Sequence, residues 1–348
     1  DGTEITDLTI PGSVLNIGNN VFYGYSSLTS VSIESGVSSI GTNAFNNCSN
    51  LSSVYIPNSL STIEYNAFQN CTNLNSVFIS DVASWCSIAF NNNTANPLYY
   101  ANKLYLNDIE LKQLIIPSDV SAIEQYAFLN CSSIESVTIP NSITTIGLDA
   151  FLGCTGLNSI YINNLSAWSV IAFNSQSSNP LYYARQLFLN DVKLTELIIP
   201  DDISSIGKNA FINCTSLTSL TIPSNITDIG DNAFTGCNGL SSVIINSNEL
   251  VSTNYTYNYN FNNIFSSSVQ EYVLGDHITN IGDYAFYDGD AISSVTLPIS
   301  ITSIGNAAFR ECDGLTSINI PDGVVEIKDY AFYRCSNLTS ITLPNSLR

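Results

Sequence analysis

The sequence contains one histidine, His277, that could act as a general base near neutral pH, and nine cysteines that could act as nucleophiles. A catalytic imidazole must lie beside its nucleophile and be oriented by a third group. His277 follows Gly275-Asp276 in a segment with turn chemistry, which predicts a solvated loop position. One histidine also cannot form a cluster of imidazole metal ligands. The histidine therefore indicates neither an acid–base catalyst nor a transition-metal site.

The cysteines follow a pattern that indicates packing. Tyr25 and Gly289 occupy the cysteine slot in two other repeats, and a slot that accepts tyrosine or glycine is not half of a disulfide framework. We therefore predict a ladder of buried, unpaired thiols. Cys86 lies off this ladder, and Ser169 takes the equivalent position in a second copy of the same segment, so nothing predicts that Cys86 is reactive. The eight ladder residues, each three positions after a recurring phenylalanine, are Cys48, Cys71, Cys131, Cys154, Cys214, Cys237, Cys312 and Cys335.

The acidic side chains do not form a recognisable catalytic or metal-binding group. Asp283, Asp288 and Asp290 offer oxygen ligands, but their spacing is not that of a D-x-D-x-D-G calcium loop. Asp201-Asp202 and Glu110 are isolated acids in predicted turns, without a converging partner. We therefore predict that the chain is not an enzyme and has no catalytic residues, no metal and no cofactor.

The overall charge limits the classes of partner. Nine Lys plus Arg against 29 Asp plus Glu give a net charge of −20, which repels nucleic-acid phosphates and anionic lipid headgroups. Hydrophobic residues make up 45% of the chain, so a continuous apolar interior is expected. No run approaches the ~20 apolar residues of a membrane helix. We predict neither nucleic-acid binding nor direct membrane insertion.

A sequence repeat with a period of about 23 residues predicts the strands and turns that position these side chains. Two longer gaps of equal length, from Phe68 to Phe128 and from Phe151 to Phe211, interrupt it. They give the chain a second, longer period, which Trp85 and Trp168 also follow. The phenylalanines of the recurring Ala-Phe pair are Phe45 and Phe68, Phe128 and Phe151, Phe211 and Phe234, then Phe286, Phe309 and Phe332.

One coil shows how the repeat is built. In the segment from Leu51 to Pro57, apolar residues alternate with polar ones as in a strand, and the proline, which has no N–H, ends the pairing. A second short extended stretch leads through Ile63 to a compact turn, where Phe68 is expected to fill the interior. Strands of successive coils are then expected to pair in parallel, about 4.8 Å apart.

These residues resemble the pattern L-x-x-L-x-I-P-x-x-L-x-x-I-G-x-x-A-F-x-x-C of the BspA-like, or treponemal-type, leucine-rich repeat family, over nearly the whole chain. The resemblance implies a repeat solenoid, a right-handed leucine-rich-repeat superhelix with coils of about 23 residues. Parallel β-strands would form one face, and short strands and turns the other. The pattern appears in Leu157-Asn158-Ser159-Ile160-Tyr161-Ile162 and in Ile143-Thr144-Thr145-Ile146-Gly147-Leu148-Asp149-Ala150-Phe151-Leu152-Gly153-Cys154.

The resemblance also implies a function. Members are usually exported, surface-associated proteins of host-associated bacteria and some protist parasites, adhesion or host-protein binding is their commonest assigned role, and they share no catalytic residues. We therefore expect an extracellular or cell-surface binding module, monomeric, that recognises a host or neighbouring-cell protein or a glycan. A structural spacer or stalk of a larger surface protein is the alternative. Both ends interrupt a coil, so we expect a longer protein with an export signal outside this sequence.

We predict a single domain over residues 1–348. Three interruptions modify its repeat, at about residues 81–117, 164–200 and 246–275. The first two are related copies, each with an insertion of the same length. Asn107-Asp108 separates two alternating apolar stretches and predicts a hairpin turn. The third interruption, Asn254 to Ser268, is unrelated and rich in Asn, Tyr and Phe.

Exposed aromatic residues are the candidate ligand-binding residues, because aromatic rings dominate glycan stacking and protein hot spots. For Trp85 and Trp168, which lie where ordinary coils carry core residues, we favour packing of the insert over binding. For the insert tyrosines both interpretations stay open. Alternation of aromatic and polar residues predicts an exposed strip in the third interruption. The candidate residues are Tyr55, Tyr99, Tyr100, Tyr182, Tyr183, Tyr255, Tyr257 and Tyr259.

The outward middle position of each strand forms a row that is mostly polar, and a strand face is apolar only where something covers it. We infer that the inserts fold back over the strand face and that Tyr55 is the main exposed exception. The apolar members of the row flank the interruptions and are Phe78, Ile115, Tyr161, Ile198, Ile244 and Val273.

Overall fold

A computed structural model of the protein describes residues 5–348. The described chain divides into two compact units, one with the residues up to Asn163 and Ile171–Ala184, the other with Asn164–Val170 and Arg185–Arg348. Each unit is a parallel-strand β-solenoid, with a spacing of ~23 residues and about 15 turns in total. The predicted solenoid fold is confirmed.

Every described strand is two to four residues long. The strands up to residue 173 are, in chain order, β1 (Asp7–Ile10), β2 (Asn16–Ile17), β3 (Ser30–Ile33), β4 (Ser39–Ile40), β5 (Ser53–Ile56), β6 (Thr62–Ile63), β7 (Ser76–Ile79), β8 (Ala89–Phe90), β9 (Leu104–Leu106), β10 (Ile109–Glu110), β11 (Gln113–Ile115), β12 (Ala122–Ile123), β13 (Ser136–Thr138), β14 (Thr145–Ile146), β15 (Ser159–Ile162) and β16 (Ala172–Phe173). They are followed by β17 (Leu187–Leu189), β18 (Val192–Lys193), β19 (Glu196–Ile198), β20 (Ser205–Ile206), β21 (Ser219–Ile222), β22 (Asp228–Ile229), β23 (Ser242–Ile245), β24 (Glu271–Leu274), β25 (Asn280–Ile281), β26 (Ser294–Thr296), β27 (Ser303–Ile304), β28 (Ser317–Asn319), β29 (Glu326–Ile327) and β30 (Ser340–Thr342).

Helices occur only at the interruptions within residues 5–348. They are α1 (Val82–Cys86), α2 (Leu98–Ala101), α3 (Leu165–Ser169), α4 (Leu181–Ala184), α5 (Asn248–Ser252) and α6 (Phe261–Ile264), with 3₁₀ turns at Asn93–Ala95 and Gln176–Ser178.

Longer and shorter strands form separate sheets, and residues one repeat apart are partners, as Val31 and Val54 are. In the first unit the longer strands pair in the orders β1-β3-β5-β7-β9-β10 and β11-β13-β15, and the shorter ones in the orders β2-β4-β6-β8 and β12-β14-β16. In the second unit the corresponding orders are β19-β21-β23-β24-β26 with β28-β30, and β20-β22 with β25-β27-β29.

The turn around each Ala-Phe pair requires two residues with positive φ. In one coil these are Asn43 (φ 56°) and Asn47 (φ 62°). Asparagine tolerates this region because its short side chain bonds locally, and Gly153 (φ 79°) supplies the second position in another coil. The N–H of Phe45 then donates to the Ala67 carbonyl of the next coil at 2.8 Å. The asparagines of the repeat are therefore turn residues.

Phenylalanine rings and cysteine thiols fill the interior between the two faces. The rings of Phe22, Phe45 and Phe68 stack with centroids 5.3 Å apart at each step. The Sγ of Cys48 donates to the Phe22 carbonyl at 3.1 Å, and that of Cys71 to the Phe45 carbonyl at 3.2 Å. These two thiols thus fill core space while they donate to the preceding coil.

The cysteines of the described chain are all free thiols, and every one except the half-buried Cys335 is buried. The prediction of buried, unpaired thiols is thereby confirmed for the ladder from Cys48 to Cys312. Burial raises the pKa of Cys131 to about 12 and that of Cys214 to about 11. Such thiols stay protonated and unreactive at neutral pH, because the thiolate is the nucleophile.

The insert tryptophans belong to the core. Trp85 and Trp168 are each 1% exposed. In an ordinary coil the alanine carbonyl accepts a hydrogen bond from the phenylalanine N–H of the preceding coil. In the insert coils the Ala-Phe pair lies in a strand, β8 or β16, and not in a turn. The indole N–H takes over this role, with Nε1 2.8 Å from the Ala127 carbonyl for Trp85 and 2.9 Å from the Ala210 carbonyl for Trp168. The packing interpretation of the tryptophans is confirmed.

The first insert forms the predicted hairpin but does not cover the strand row. Strands β9 and β10 pair antiparallel around Asn107 and Asp108, and their φ angles of 48° and 64° fit a type I′ turn. Strand β9 itself pairs in parallel with β7, so the insert extends the row. Ile115 and Ile198 stay 63% and 68% exposed, and Ile244 37%. The prediction that the inserts cover these residues is wrong. In the first insert the reason is that Leu104–Leu106 pairs with β7 and continues the row instead of lying across it.

Candidate functional site

The histidine and the acidic residues considered for chemistry do not form a metal-binding group within residues 5–348. His277 is exposed in the turn after β24. A carboxylate oxygen of Asp283 accepts the Asn306 N–H at 2.7 Å and so holds the turn of the next coil, while Glu110 lies 4.0 Å from Lys103 on the surface. Within residues 5–348, no three His, Cys, Asp or Glu side chains form a group that could hold a metal ion. These side chains stabilise turns or lie in solvent.

Three aromatic rings stack on the outward face of strands β5, β7 and β9. Tyr55 is the partner of Phe78, and Phe78 is the partner of Tyr105. Their ring centroids are 4.3 Å and 4.7 Å apart, with interplanar angles of 11° and 25°. Parallel strands repeat every ~4.8 Å, so outward aromatic residues in register must stack. We call this set of three residues the aromatic ladder.

The aromatic ladder is exposed at one end. Tyr55 is 41% exposed, while Phe78 and Tyr105 are half-buried. The row neighbour of Tyr55 on the preceding strand is Ser32, whose side chain is too small to cover the ring. At the other end Glu110 of β10 lies opposite Tyr105. The row therefore presents a rigid apolar wall with one open ring face.

A cleft of about 320 Å³ lies beside the aromatic ladder, at the carboxyl ends of β3, β5 and β7. We call it the ladder cleft. Its volume falls within the range of about 300–1,000 Å³ typical of ligand sites. Asp108 is the one charged residue in its lining, and this carboxylate stands there because the hairpin turn ends at the cleft. The other lining residues are Tyr55 and Phe78 of the ladder, with Ile33, Ser35, Ile56, Pro57, Asn58, Ile79, Ser80 and Asn107.

The tyrosines of the first two inserts are half-buried and hold the inserts to the preceding coil. The Tyr100 hydroxyl accepts the Asn70 N–H at 2.9 Å, and the Tyr183 hydroxyl accepts the Gly153 N–H at 2.9 Å. In ordinary coils a backbone carbonyl of the next coil accepts this N–H. The rings of Tyr99 and Tyr182 contact these two tyrosines edge to face, at 4.9 Å and 5.1 Å. The geometry gives all four a structural role.

The third interruption separates its tyrosines. Tyr255 is half-buried, and its hydroxyl donates to the Leu250 carbonyl at 2.9 Å, while burial raises its pKa well above the usual value. Tyr257 is 64% exposed and Tyr259 41% exposed. Thr256 and Tyr259 form an isolated antiparallel bridge that fixes the loop. The turn closed by this bridge breaks the alternation, so that the Tyr255 ring packs inward while the Tyr257 and Tyr259 rings lie on the surface.

Sequence reasoning missed the contribution of Tyr105 and treated Phe78 as a covered residue. The available signal was the alternation Leu-Tyr-Leu in the insert, which matches the Val-Phe-Ile pattern of β7. Only the pairing of β9 with β7 brings Tyr105 into line with Tyr55 and Phe78.

Comparison with known proteins gives one family. A family model described as "BspA type Leucine rich repeat region (6 copies)" matches residues 1–106, 99–181, 182–271 and 257–348. No curated protein matches the chain. Within residues 5–348, no helix has the length and apolar character needed to cross a bilayer.

Among solved structures, a leucine-rich repeat protein from Bacteroides ovatus is similar, with 26% identity, 98% of this chain and 82% of that chain covered, and a TM-score of 0.56. A leucine-rich repeat protein from Eubacterium ventriosum has 19% identity, covers 99% of this chain and 94% of that chain, and has a TM-score of 0.46. The Bacteroides ovatus protein supports the repeat fold.

Proposed function

Because the chain belongs to the BspA-type leucine-rich repeat family, we propose that it is a non-enzymatic adhesion module, extracellular or at the cell surface, that binds a protein through its strand face. The ligand is a protein of a host or of a neighbouring cell. Proteins of this family are repeat proteins without shared catalytic residues, and many are surface-associated, which supports this assignment.

The observation that carries the proposal is the aromatic ladder beside its cleft. A Tyr-Phe-Tyr stack already packed at 4.3 Å and 4.7 Å loses little conformational freedom on binding. Tyrosine is enriched in interface hot spots, where a few desolvated aromatic anchors carry most of the binding energy. Three isoleucines also line the ladder cleft, so it offers an apolar surface to a side chain of the partner. Tyr55 is the residue expected to contribute most.

The charge of the chain fits a neutral or basic partner surface. The net charge is −20, and the one charged residue that lines the ladder cleft is the acidic Asp108. An acidic partner would be repelled by this charge, so electrostatic attraction could not contribute to its affinity for the chain. Binding carried by ring contacts changes little when salt rises, because screening acts on charges.

A spacer or stalk is the second candidate. The outward row positions Thr296 and Asn319 are exposed and polar, as are the neighbouring Ser317 and Thr316. A polar strand face without anchors suits a segment that holds another domain away from a surface. This part of the chain, in the second unit, is therefore not where we place the protein-binding site.

The test is capture followed by a matched pair of variants. The chain is immobilised and exposed to purified host extracellular-matrix proteins and mucin, and the dissociation constant of each bound protein is measured by surface plasmon resonance. Tyr55→Ala is expected to weaken binding at least about tenfold, which corresponds to ~1.4 kcal/mol. Tyr65 is 53% exposed but lies outside the strand row, so Tyr65→Ala is the control and is expected to leave affinity unchanged.

Two outcomes would contradict the proposal. If none of the proteins in the panel binds, the spacer function is favoured. If Tyr55→Ala and Tyr65→Ala bind equally well, with circular dichroism spectra like that of the unchanged protein, the site is not at the aromatic ladder.

A further inference from the structure

A second cleft, in the unit that contains Arg185–Arg348, differs in chemistry from the ladder cleft. Its volume is about 510 Å³, and its eleven lining residues are five asparagines, two serines, a threonine, a glycine, one aspartate and one tyrosine. Two segments supply them, the turn that follows β22 and the loop with helix α6 in the third interruption. We call this site the polar cleft.

The lining of the polar cleft excludes several ligand classes. It contains no lysine, arginine or histidine, and Asp231 adds a negative charge, so phosphate, sulfate and carboxylate groups lack a cationic partner there. No aliphatic side chain lines it, whereas sites for lipids and other apolar molecules are lined mostly by hydrophobic groups, so an apolar ligand is excluded too. A neutral ligand with many hydroxyl groups remains.

Part of the lining is fixed and part is available. The Asn262 amide donates to the Tyr287 and Asp288 carbonyls at 2.9 Å and 2.6 Å, and this ties one wall to the next coil. Within residues 5–348, the side chains of Asp231, Asn238 and Asn258 make no hydrogen bond to the protein. An asparagine amide both donates and accepts, as a sugar hydroxyl does, and a carboxylate accepts strong charge-assisted bonds.

Tyr259 adds a rigid aromatic surface to the polar cleft. Its backbone exchanges two hydrogen bonds with Thr256, both 3.1 Å long, and the anchored Tyr255 lies 6.4 Å away between ring centroids. Burial, and then the charge of Asp231, raise the pKa of Tyr259, so its hydroxyl stays protonated and available as a donor. A ring whose backbone is held in this way loses less conformational freedom when it stacks on an apolar face.

We propose that the polar cleft binds a neutral glycan, with the C–H face of one sugar ring stacked on Tyr259. Hydroxyl groups of the sugar donate to Asp231 and exchange hydrogen bonds with Asn238 and Asn258. The site shares no residue with the aromatic ladder, so it stands independently of the protein-binding function.

The experiment uses the full chain, biotinylated and displayed on streptavidin, on an array of neutral, sialylated and sulfated glycans. Multivalent display is needed because binding of a single sugar with a dissociation constant of ~1 mM would otherwise escape detection. Retention is expected on a set of neutral glycans and not on their sialylated or sulfated counterparts. Tyr259→Ala and Asn238→Ala are each expected to lower that signal at least about tenfold.

Matched variants separate this site from others. Tyr257 is in the same loop and 64% exposed but does not line the polar cleft, so Tyr257→Ala is expected to keep the full signal. Tyr55→Ala is expected to keep it as well. Asp231→Asn, which preserves shape, is the second test if Tyr259→Ala disturbs the fold by circular dichroism. No retention on neutral glycans, a preference for charged ones, or equal losses for Tyr257→Ala and Tyr259→Ala would each overturn the proposal.

Discussion

Removal of the Phe151 ring is expected to destabilise the first unit strongly. Phe151 is 0% exposed, and its ring stacks on that of Phe128 with centroids 5.2 Å apart. Its N–H donates to the Ser177 carbonyl at 3.1 Å, so the backbone is fixed and has little freedom to close around a smaller side chain. Phe151→Ala therefore leaves an aromatic-sized cavity inside the stack of coils.

The magnitude follows from the chemistry of the cavity. Truncation of a fully buried phenylalanine to alanine destabilises a protein by about 3–5 kcal/mol, since transfer and cavity contributions add. In a solenoid each coil contacts only its neighbours, so the loss falls on the coils next to the cavity. With a urea m-value of about 3 kcal/mol/M, this loss moves the denaturation midpoint by roughly 1–1.7 M.

The assay is urea denaturation followed by circular dichroism and tryptophan fluorescence, so that coincident transitions support a two-state analysis. Leu152 is adjacent in sequence but 38% exposed, and Leu152→Ala is the matched control. Thr138, half-buried on the outward row of β13, gives a second control. Both controls are expected to stay within about 0.5 kcal/mol of the unchanged protein.

A midpoint for Phe151→Ala that equals those of Leu152→Ala and Thr138→Ala would refute the reasoning. It would mean that the phenylalanine stack does not hold the coils together, although the ring is buried. If only Leu152→Ala lowered the free energy of unfolding strongly, Leu152 and not Phe151 would be the residue of this turn that packs in the interior.

Two further predictions concern the thiols. Titration with a thiol reagent is expected to give almost no reaction at the eight buried cysteines of the folded protein and nine thiols in denaturant, and rapid labelling of those eight would contradict the packing. Stability is expected to fall at alkaline pH, because burial raises the pKa of Cys131 from 9.0 to about 12 and that of Cys214 from 9.0 to about 11. The protonated thiols contribute fully below pH 9.0, and this contribution is lost as the pH rises through about 11–12. Urea midpoints at pH 7 and above pH 10 measure the loss, and Cys131→Ala is expected to reduce it.

The solenoid could be predicted from sequence because every coil has its core residues at the same positions of the repeat. Residues such as Val54, Ile63 and Phe68 recur at fixed positions, and each is 0% exposed. One reading of the inward and outward positions therefore holds for many coils. The thiol ladder followed from the same logic, since a slot that accepts Tyr25 or Gly289 has to be a packing position.

The turns were less accessible from sequence. Nothing in the pattern N-A-F-N-N-C states that its first and fifth residues, Asn43 and Asn47, adopt positive φ, although asparagine favours it. The prediction that the inserts cover the strand face was wrong for a related reason. A local pattern cannot say whether Leu104–Leu106 pairs with the row or folds across it, because both use the same alternation.

The sequence by itself determined the repeat, the inward residues of each coil and the buried thiols, because these depend on a periodicity that every coil repeats. Only the tertiary structure decided which surface residues meet. Tyr105 joins Tyr55 and Phe78 through the pairing of β9 with β7, and the polar cleft unites Asp231 and Tyr259 from two separate segments. Such sites depend on contacts between residues far apart in the chain, and no local pattern carries that information.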